Sequence, residues 1–409
     1  MIGELCYPKA LEEYDMAIIR PMTNDDLLAY QQLCSICYTY RATETPDPLP
    51  EEKLRIRMGA FDEEGQLLSA MMQIPYDVRF EGESVKLLGI GGVVTDPCAR
   101  RGGAVRKLFE EGLPRLYREG YVFSALYPFS HRFYRKFGYE TAEFWHNAEL
   151  PRTSLRSDLE PADEIVRVLP DGDDQDMRAV YEQYAQDKHL VVLRDDAMWA
   201  DLRRGTPWSD LKYAYIMKKS GKTVAYWVGT MQKDGWRTTL TLKDFAWTCL
   251  EGLEAIFAMI RGMNEVESVV LRAQGGFDPR NLVEEPYDVD WKNPCDGMVR
   301  VMNVERALVL LPAPPLPGTL HICVTDAQIP QNNGVFAVNC DGYGVSVTRD
   351  DHAAADIACD IRGIAVLMCG QYAFGDFARM GVVTLKNEKK RRLADLLFGR
   401  RELHMNHNF

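Results

Sequence analysis

Hydrophobic and polar residues follow one another along the N-terminal part of the chain in patterns that predict strands and helices. Residues 17–29 indicate a strand followed by a helix start that Asp or Asn caps. Residues 54–95 alternate as strands do, with a turn at residues 64–65. Residues 105–117 repeat apolar side chains at helical spacing, and Pro114 predicts that this helix bends or ends there.

The pattern continues beyond this helix with further strands and helices. A strand at 122–127 and the segment "FYRKFGYE" at 133–140 come first, and a polar, turn-rich linker follows at 150–164. After the linker the pattern indicates three strands and one amphipathic helix, at about 213–218, 223–230, 238–244 and 250–260. Strands that alternate with helices in this way predict an α/β architecture.

The hydrophobic and polar pattern in the last third of the chain predicts α+β structure. We expect the chain to turn at about 291–296, after which "GMVRVMNVERAL" opens the final group of elements at Gly297. The segment "NEKKRRLADLLFG" indicates a closing helix that Asn387 caps and Gly399 stops. The chain is therefore expected to contain three domains, at 1–150, 151–293 and 294–409.

Composition and charge narrow the class of protein. The 409 residues are 46% hydrophobic and 26% charged, values typical of a soluble globular protein of two or three domains. No apolar run is long enough for a membrane helix, and ten scattered cysteines favour the cytoplasm. We interpret Cys34 and Cys37 as buried thiols, because no second cysteine pair is present to complete a zinc site. The net charge of −12 argues against binding of nucleic acid or an anionic membrane and favours a cationic small molecule.

The stretch "TDPCARRGGAVRKLF" at 95–109 suggests an anion site where a strand passes into a helix. A helix N-terminus offers unpaired N–H groups and the positive end of the helix dipole. Gly102 and Gly103 would let the backbone approach a diphosphate, and Arg100 and Arg101 would add charge-assisted hydrogen bonds. Neither G-x-x-x-x-G-K-[ST] nor G-x-G-x-x-G is present here. The alternative is an ordinary helix start with two solvated arginines.

The wider context of this stretch resembles a known family. A strand, R-x-x-G at 100–103, an amphipathic helix, a strand and "YRKFGY" together resemble the acetyl-CoA signature of GNAT N-acetyltransferases. The segments "GGVVTDPCARRGGAVR" and "GYVFSALYPFSHRFYRKFGYE" resemble the Eis (enhanced intracellular survival) family within that superfamily. "MVRVMNVERAL" at 298–308 resembles the start of its third domain. The resemblance implies two GNAT domains in tandem, the second degenerate, followed by an α+β domain like sterol carrier protein 2. It also implies acetyl-CoA as cosubstrate, no metal and a hexamer.

The resemblance also assigns residues to the cofactor. It implies that a strand pairs with the pantetheine amides and that the following loop binds the pyrophosphate, through Val93, Val94 and Thr95 on the strand and Arg100, Arg101, Gly102, Gly103 and Ala104 in the loop. One position departs from the family pattern. Where a small polar residue is expected near the cofactor, this chain has Phe129 and only then Ser130.

Acetyl transfer to an amine needs a neutral amine, a polarised thioester carbonyl and a proton for the departing thiolate. GNAT sites polarise the carbonyl with a backbone N–H, a type of contact worth about 3–4 kcal/mol. Tyr134 in "FYRKFGY" falls at the family's general-acid position. Its phenol, with an ordinary pKa of about 10, is a workable partner for a thiolate whose thiol has a pKa of about 8.5. The alternative is that Tyr134 is only an aromatic side chain packed beside Phe133 and Phe137.

In the Eis family the terminal carboxylate of the chain reaches the active site, which here implies the carboxylate of Phe409. Its ordinary pKa is some six units below that of an alkylamine, so direct removal of an ammonium proton would cost about 8 kcal/mol. We therefore expect it to hold the amine, or to accept the proton as attack proceeds. The alternatives are a frayed tail, or His404 or His407 as the base. A metal at these histidines is not expected, because the sequence offers no third ligand.

The resemblance implies acceptors with amines on cationic molecules, such as aminoglycosides, polyamines, peptides or lysine side chains. Tyr38 and Tyr40 are expected in the wall of the acceptor pocket, between the first domain and the tail, with ordinary aromatic packing as the alternative. Two other functions stay open. One is an N-acyltransferase that uses a longer acyl-CoA, as N-myristoyltransferases do, and the other is a non-catalytic protein that binds acyl-CoA or lipid.

Overall fold

The computed structural model describes residues 17–39, 41, 43, 45–273, 277–405 and 407. These residues form three consecutive units, each with its own strands and helices. Among them, no helix combines the length and the apolar character that crossing a membrane requires.

The first unit is a twisted sheet with helices against it. Strands β1 to β4 pair in chain order and antiparallel, and β5 then pairs parallel to β4. Its elements in chain order are β1 (Ile18–Pro21), α1 (Leu27–Tyr38), α2 (Glu51–Arg55), β2 (Arg57–Phe61), β3 (Leu67–Phe80), β4 (Glu83–Thr95), α3 (Ala104–Arg118), β5 (Phe123–Leu126), α4 (His131–Arg135) and β6 (Glu140–Pro151).

Helix α3 carries the amphipathic pattern seen in the sequence but does not end at Pro114. It continues to Arg118. Leu113 and Leu116, on either side of the proline, are both buried, so the last turn stays packed on the sheet. Burial of this apolar stripe outweighs the hydrogen bond that proline cannot donate.

The second unit repeats part of this arrangement. Strands β7, β9, β10 and β11 are antiparallel neighbours, and β12 pairs parallel to β11. The elements are β7 (Glu164–Arg167), α5 (Gln175–Tyr184), β8 (Val191–Val192), α6 (Asp196–Arg203), β9 (Lys212–Lys219), β10 (Lys222–Asp234), β11 (Arg237–Trp247), α7 (Leu250–Arg261), β12 (Ser268–Ala273) and β13 (Asp290–Val301).

The loop between strand and helix distinguishes the two units. Residues 96–103 separate β4 from α3, whereas only residues 248–249 separate β11 from α7. The second unit therefore keeps the parallel pair of β11 and β12, with α7 as the helix that connects them. The two residues between β11 and α7 leave no room for a phosphate-binding loop.

The antiparallel pairing of β6 with β12 joins the first two units into one continuous sheet, and β13 is inserted into the part that belongs to the first unit. Strand β13 pairs antiparallel with β6, and its last residues, Met298–Val301, pair with β5. It therefore lies between β5 and β6, which are neighbours in the chain. The turn expected at 291–296 is wrong, since these residues belong to this extended strand. The expected boundary between residues 293 and 294 falls inside the same strand.

The third unit contains a separate five-stranded sheet, in the order β16, β15, β14, β17, β18. Its helix α9 packs against β13 and β6, so its core is continuous with that of the first unit. The elements are α8 (Val304–Val309), β14 (Gly318–Thr325), β15 (Gly334–Cys340), β16 (Val345–Arg349), β17 (Ile357–Asp360), α9 (Ile361–Cys369), α10 (Phe374–Arg379), β18 (Thr384–Leu385) and α11 (Arg391–Leu397).

Candidate active site

A cleft forms in the first unit because β4 and β5 pair over only part of their length. The parallel pairing covers Leu87 to Ile90 on β4, after which β4 continues to Thr95 while β5 ends. The register between β3 and β4 also shifts here, so that β4 bulges at residues 92–93. Gly92 has a φ of +54°, a conformation that favours glycine. The diverging strands and the bulge leave β4 backbone exposed along one side of the cleft.

The cleft opens into a cavity of about 1300 Å³. Most of the site residues expected from the sequence line it: Tyr38, Val93, Thr95, Arg100, Arg101, Gly103, Ala104 and Tyr134. Val94 is buried and does not line it, since alternate residues of a strand face opposite sides of the sheet. Gly102, in the loop before α3, is also buried and does not line it. Tyr40 and Phe409 lie outside the described residues.

The loop before α3 presents backbone N–H groups and positive charge to this cavity. Gly103 begins the helix in the left-handed region, at a φ of +94°, and no side chain caps it. The first bond inside the helix runs from the Lys107 N–H to the Gly103 carbonyl, at 3.0 Å. The N–H groups of residues 104–106 therefore have no partner inside the helix. Within the described part of the chain, the exposed Arg100 and Arg101 have no hydrogen bond or ion pair. These groups suit a diphosphate.

Further charged side chains, which the sequence did not single out, also line the cavity. Arg106 and Lys136 are cationic, and Glu110 is the one carboxylate among the described lining residues. The cavity is positive overall, although the chain has a net charge of −12. An anionic ligand with several phosphates therefore matches this site better than the net charge of the protein suggests.

Tyr134 lies on α4 and is 2% exposed. Its ring packs edge-on against Phe109, Phe133 and Tyr139, while it also lines the cavity. Burial raises the pKa of Tyr134 well above its ordinary value, and the neighbouring Tyr38 raises it further. The phenol is therefore protonated over the whole working pH range. The aromatic packing that the sequence offered as the alternative is present, and the same side chain also lines the cavity, as a general acid would need to do.

The residue that departs from the family pattern is also in the cavity. Phe129 is 71% exposed and lies 5.3 Å from the Tyr134 ring, centroid to centroid. Ser130 does not line the cavity and instead caps α4, where its side chain accepts a hydrogen bond from the Phe133 N–H. A role for Ser130 in binding ligand therefore has no geometric support.

A fully buried arginine fixes the end of α4. Arg300 on β13 donates to the Phe137 carbonyl at 2.8 Å and forms an ion pair with Asp326 at 2.6 Å. Its guanidinium occupies the space beside Gly138, where a Cβ atom would overlap it. Gly138 also has a φ of +80°. The glycine of "YRKFGY" is therefore required by backbone conformation and by Arg300, a residue that no local pattern in the sequence connects to it.

The C-terminal tail runs close to the cavity. The Tyr127 hydroxyl, whose residue lines the cavity, donates to the Met405 carbonyl at 3.1 Å. Earlier in the tail, Arg401 forms an ion pair with Glu81 at 2.6 Å. The His404 N–H bonds the His189 carbonyl at 2.9 Å. These contacts hold residues 401–405 between the first and second units.

The two tail histidines are poor candidates for the base. His404 lines a separate, small recess of the second unit and packs against Tyr184, 5.2 Å between ring centroids. Burial lowers the pKa of His404 to about 3 and that of His407 to about 4. Both are neutral at pH 7 but bind protons weakly. Neither lines the cavity that contains Tyr134.

The lowered histidine pKa values predict a loss of stability in mild acid. Unfolded histidine has a pKa of about 6.5, so between this pH and about 4 the unfolded chain binds more protons than the folded one. Each histidine then costs up to about 1.4 kcal/mol per pH unit as the pH falls. Thermal unfolding at pH 7, 6 and 5 measures this. The His404→Leu variant should lose distinctly less stability over that range. Equal losses would show that His404 is not buried as a neutral side chain.

The two cysteines of "CSIC" both lie on α1. Cys34 is buried, and the half-buried Cys37 lies with its sulfur 3.7 Å from the Thr95 carbonyl, at the end of β4. Both are free thiols. Among the described residues, no group of three or more His, Cys, Asp or Glu side chains is placed to hold a metal ion.

Comparison with known families agrees with this geometry. Residues 18–142 match the acetyltransferase (GNAT) domain, and residues 304–406 match the sterol carrier protein domain. The chain therefore contains a GNAT acetyltransferase domain and is an N-acetyltransferase enzyme. More specifically, it combines a GNAT acetyltransferase domain with a C-terminal sterol carrier domain, as the sequence predicted. Comparison with curated proteins gives no match.

Solved structures share the fold along nearly the whole chain. A GCN5-related N-acetyltransferase from Anabaena variabilis has a TM-score of 0.84 at 20% identity. A probable N-acyltransferase from Enterococcus faecalis has a TM-score of 0.81, and Eis1 from Mycobacterium abscessus has one of 0.78, both at 20% identity. In each case 96% of this chain and 100% of the other chain are covered. The predicted fold class is confirmed, and the fold that the chain shares with Eis1 agrees with the resemblance to the Eis family.

Proposed function

We propose that the protein transfers the acetyl group of acetyl-CoA to the amine of a cationic small molecule or peptide. One observation carries this proposal: a single cavity joins the bulged end of β4, the uncapped start of α3 with its two arginines, and the Tyr134 phenol. In this arrangement the pantetheine lies along β4, and the pyrophosphate lies against Arg100, Arg101 and the N–H groups of residues 104–106.

The reaction follows from this placement of the thioester. The neutral amine attacks the carbonyl carbon, a C–N bond forms and the C–S bond breaks. A backbone N–H at the β4 bulge polarises the carbonyl oxygen. The Tyr134 hydroxyl gives its proton to the departing sulfur and regains one from solvent. The proton lost by nitrogen leaves through a carboxylate or water.

The same proposal assigns the acceptor side of the cavity. Tyr38 lines it, and its hydroxyl donates to the Val93 carbonyl at 3.3 Å, so this side chain forms part of the wall. The bond from Tyr127 to Met405 brings the tail to the cavity edge, which supports the Phe409 carboxylate as the group that holds the acceptor's ammonium. The hexamer implied by the family resemblance and the cytoplasmic location stay predictions.

Thiol release from acetyl-CoA, measured with an aminoglycoside and with a polyamine, tests the proposed reaction. The matched variant carries two extra residues after Phe409, which displace the carboxylate and leave the cofactor cleft unchanged. We expect the native protein to release CoA with at least one amine. The extended variant should lose most of this activity and still bind CoA.

Each other outcome points to a different account. Equal activity of the two proteins would remove the tail carboxylate from the mechanism and leave water as the proton acceptor. A strong preference for long-chain acyl-CoA would favour the N-acyltransferase alternative. CoA binding without any thiol release over a broad amine panel would favour the non-catalytic alternative and contradict the proposed reaction.

A further inference from the structure

The third unit contributes a side chain to the cavity. Gln328 follows β14 in the loop at 326–333, is partly exposed and lines the cavity. The other described lining residues all belong to the first unit, at or before Phe137. The sterol-carrier-like unit therefore reaches the acyl-CoA cleft directly.

The backbone around Gln328 is held in place by a buried carboxylate. One oxygen of Asp326 accepts hydrogen bonds from the N–H groups of Gln328 and Ile329, at 2.9 and 3.2 Å. Its other oxygen accepts from Arg300 at 2.6 Å and from the Asn332 amide at 2.9 Å. All four bonds are made without the side-chain amide of Gln328. The loop is thus fixed before any ligand arrives, which lowers the entropy cost of binding.

The position of the loop identifies which part of a bound acyl-CoA lies beside it. Through Arg300 the loop is joined to the Phe137 carbonyl, just beyond the C-terminal end of α4. The Ile329 side chain is fully buried in the same apolar cluster as Phe137 and Ala104, the first residue of α3. Gln328 therefore lies near the C-terminal end of α4, and the start of α3 belongs to the same apolar cluster as its neighbour Ile329. In the proposed binding mode the pyrophosphate lies against the start of α3, so the adenine nucleotide beyond it leaves the cleft on this side.

We propose that Gln328 binds the adenine nucleotide part of the acyl-CoA. A glutamine amide offers one acceptor oxygen and a donor NH₂ group, which complement the amino group and ring nitrogen of an adenine edge. Lys136 and Arg106 line the same cavity and supply positive charge for the nucleotide phosphates. This inference rests on the proposed function, and it gives the sterol-carrier-like unit a role in cofactor recognition.

Calorimetric titration of the full chain with CoA and with 4′-phosphopantetheine, which lacks the adenine nucleotide, tests the inference. Gln328→Ala should weaken CoA binding about three- to tenfold, the range expected for one or two hydrogen bonds. It should leave 4′-phosphopantetheine binding within about twofold. Gln331→Ala is the matched control, because this exposed glutamine lies on the same loop and does not line the cavity.

The two ligands distinguish the possible outcomes. Unchanged CoA affinity in Gln328→Ala would overturn the inference and leave the proposed function intact. Equal weakening of both ligands would also overturn it, since the substitution would then act through the shape of the cleft. An equal loss in Gln331→Ala would show a general effect of the loop and contradict the assigned contact. Failure of the native protein to bind CoA would overturn the proposed function and the inference together.

Discussion

Replacing Tyr134 with phenylalanine is expected to lower kcat about 100- to 1000-fold, within the range for loss of a general acid. The substitution removes only the hydroxyl. The ring keeps its edge-on contacts with Phe109, Phe133 and Tyr139, so the cleft should keep its shape. Affinity for CoA should therefore stay within about twofold of the native value.

The neighbouring motif residue Tyr139 provides the matched control. It is fully buried, and its hydroxyl shares a hydrogen bond with the Ser124 hydroxyl at 2.7 Å. Tyr139→Phe should cost about 1 kcal/mol of stability and leave kcat close to native. Thiol release and CoA titration on both variants make the comparison. A Tyr134→Phe enzyme with native kcat would return Tyr134 to a packing role and leave water as the proton donor.

The raised pKa of Tyr134 sets the pH dependence of the same measurement. Because burial keeps the phenol protonated, no fall in kcat between pH 7 and 9 should arise from Tyr134. The acceptor amine loses its proton over the alkaline range, so activity should rise with pH there. A native activity that rises with pH, together with a much lower but parallel profile in Tyr134→Phe, is the expected result.

The sequence predicts what lies close together in the chain. The end of β4, the loop with its arginines and glycines, and Tyr134 all fall between residues 93 and 134, and the family resemblance assigns them to one site. Periodicity along the chain predicts the α/β elements of the first unit and of the unit after the linker, whereas the GNAT and sterol-carrier-like domains follow from the family resemblance. Val94 and Gly102 show the limit of assigning a whole segment to a ligand, because both residues are buried and neither lines the cavity.

Contacts between distant parts of the chain could not be predicted in this way. β13 enters the first sheet between β5 and β6, and a continuous strand at 290–301 has no local signal that identifies its partners. Gln328 lines the cofactor cavity from a loop that contains no recognised motif. Both cases depend on long-range pairing, about which periodicity along the chain gives no information.

Gly138 shows how a motif residue and a distant residue depend on each other. The sequence identifies "FGY" only as part of the family signature. The structure gives the glycine two physical requirements, a φ of +80° and the Arg300 guanidinium in the space that a Cβ would occupy. An alanine would also bring its Cβ to 2.7 Å from the Ile361 side chain, at the start of α9. The third unit, through Ile361, therefore also limits the space beside Gly138, in addition to Arg300.

Gly138→Ala is expected to destabilise the protein by about 4 kcal/mol or more. The positive φ accounts for about 1–2 kcal/mol, and displacement of Arg300 from Asp326 accounts for the rest, because breaking a buried ion pair costs about 3–5 kcal/mol. Gly65→Ala is the matched control, with a φ of +81° and open space around the added Cβ. This variant should be destabilised only by the cost of the positive φ, about 1–2 kcal/mol.

Chemical unfolding of both variants, together with the soluble yield if Gly138→Ala does not fold, measures this difference. Equal stability losses would show that Arg300 moves aside without cost and that α4 does not depend on it. If the losses differ as expected, any Gly138→Ala protein that still folds should have a reduced kcat as well, because the Phe137 carbonyl that Arg300 holds directly follows the helix that carries Tyr134. The integrity of the buried Arg300–Asp326 ion pair would then connect the sterol-carrier-like unit to both binding and catalysis in the first unit.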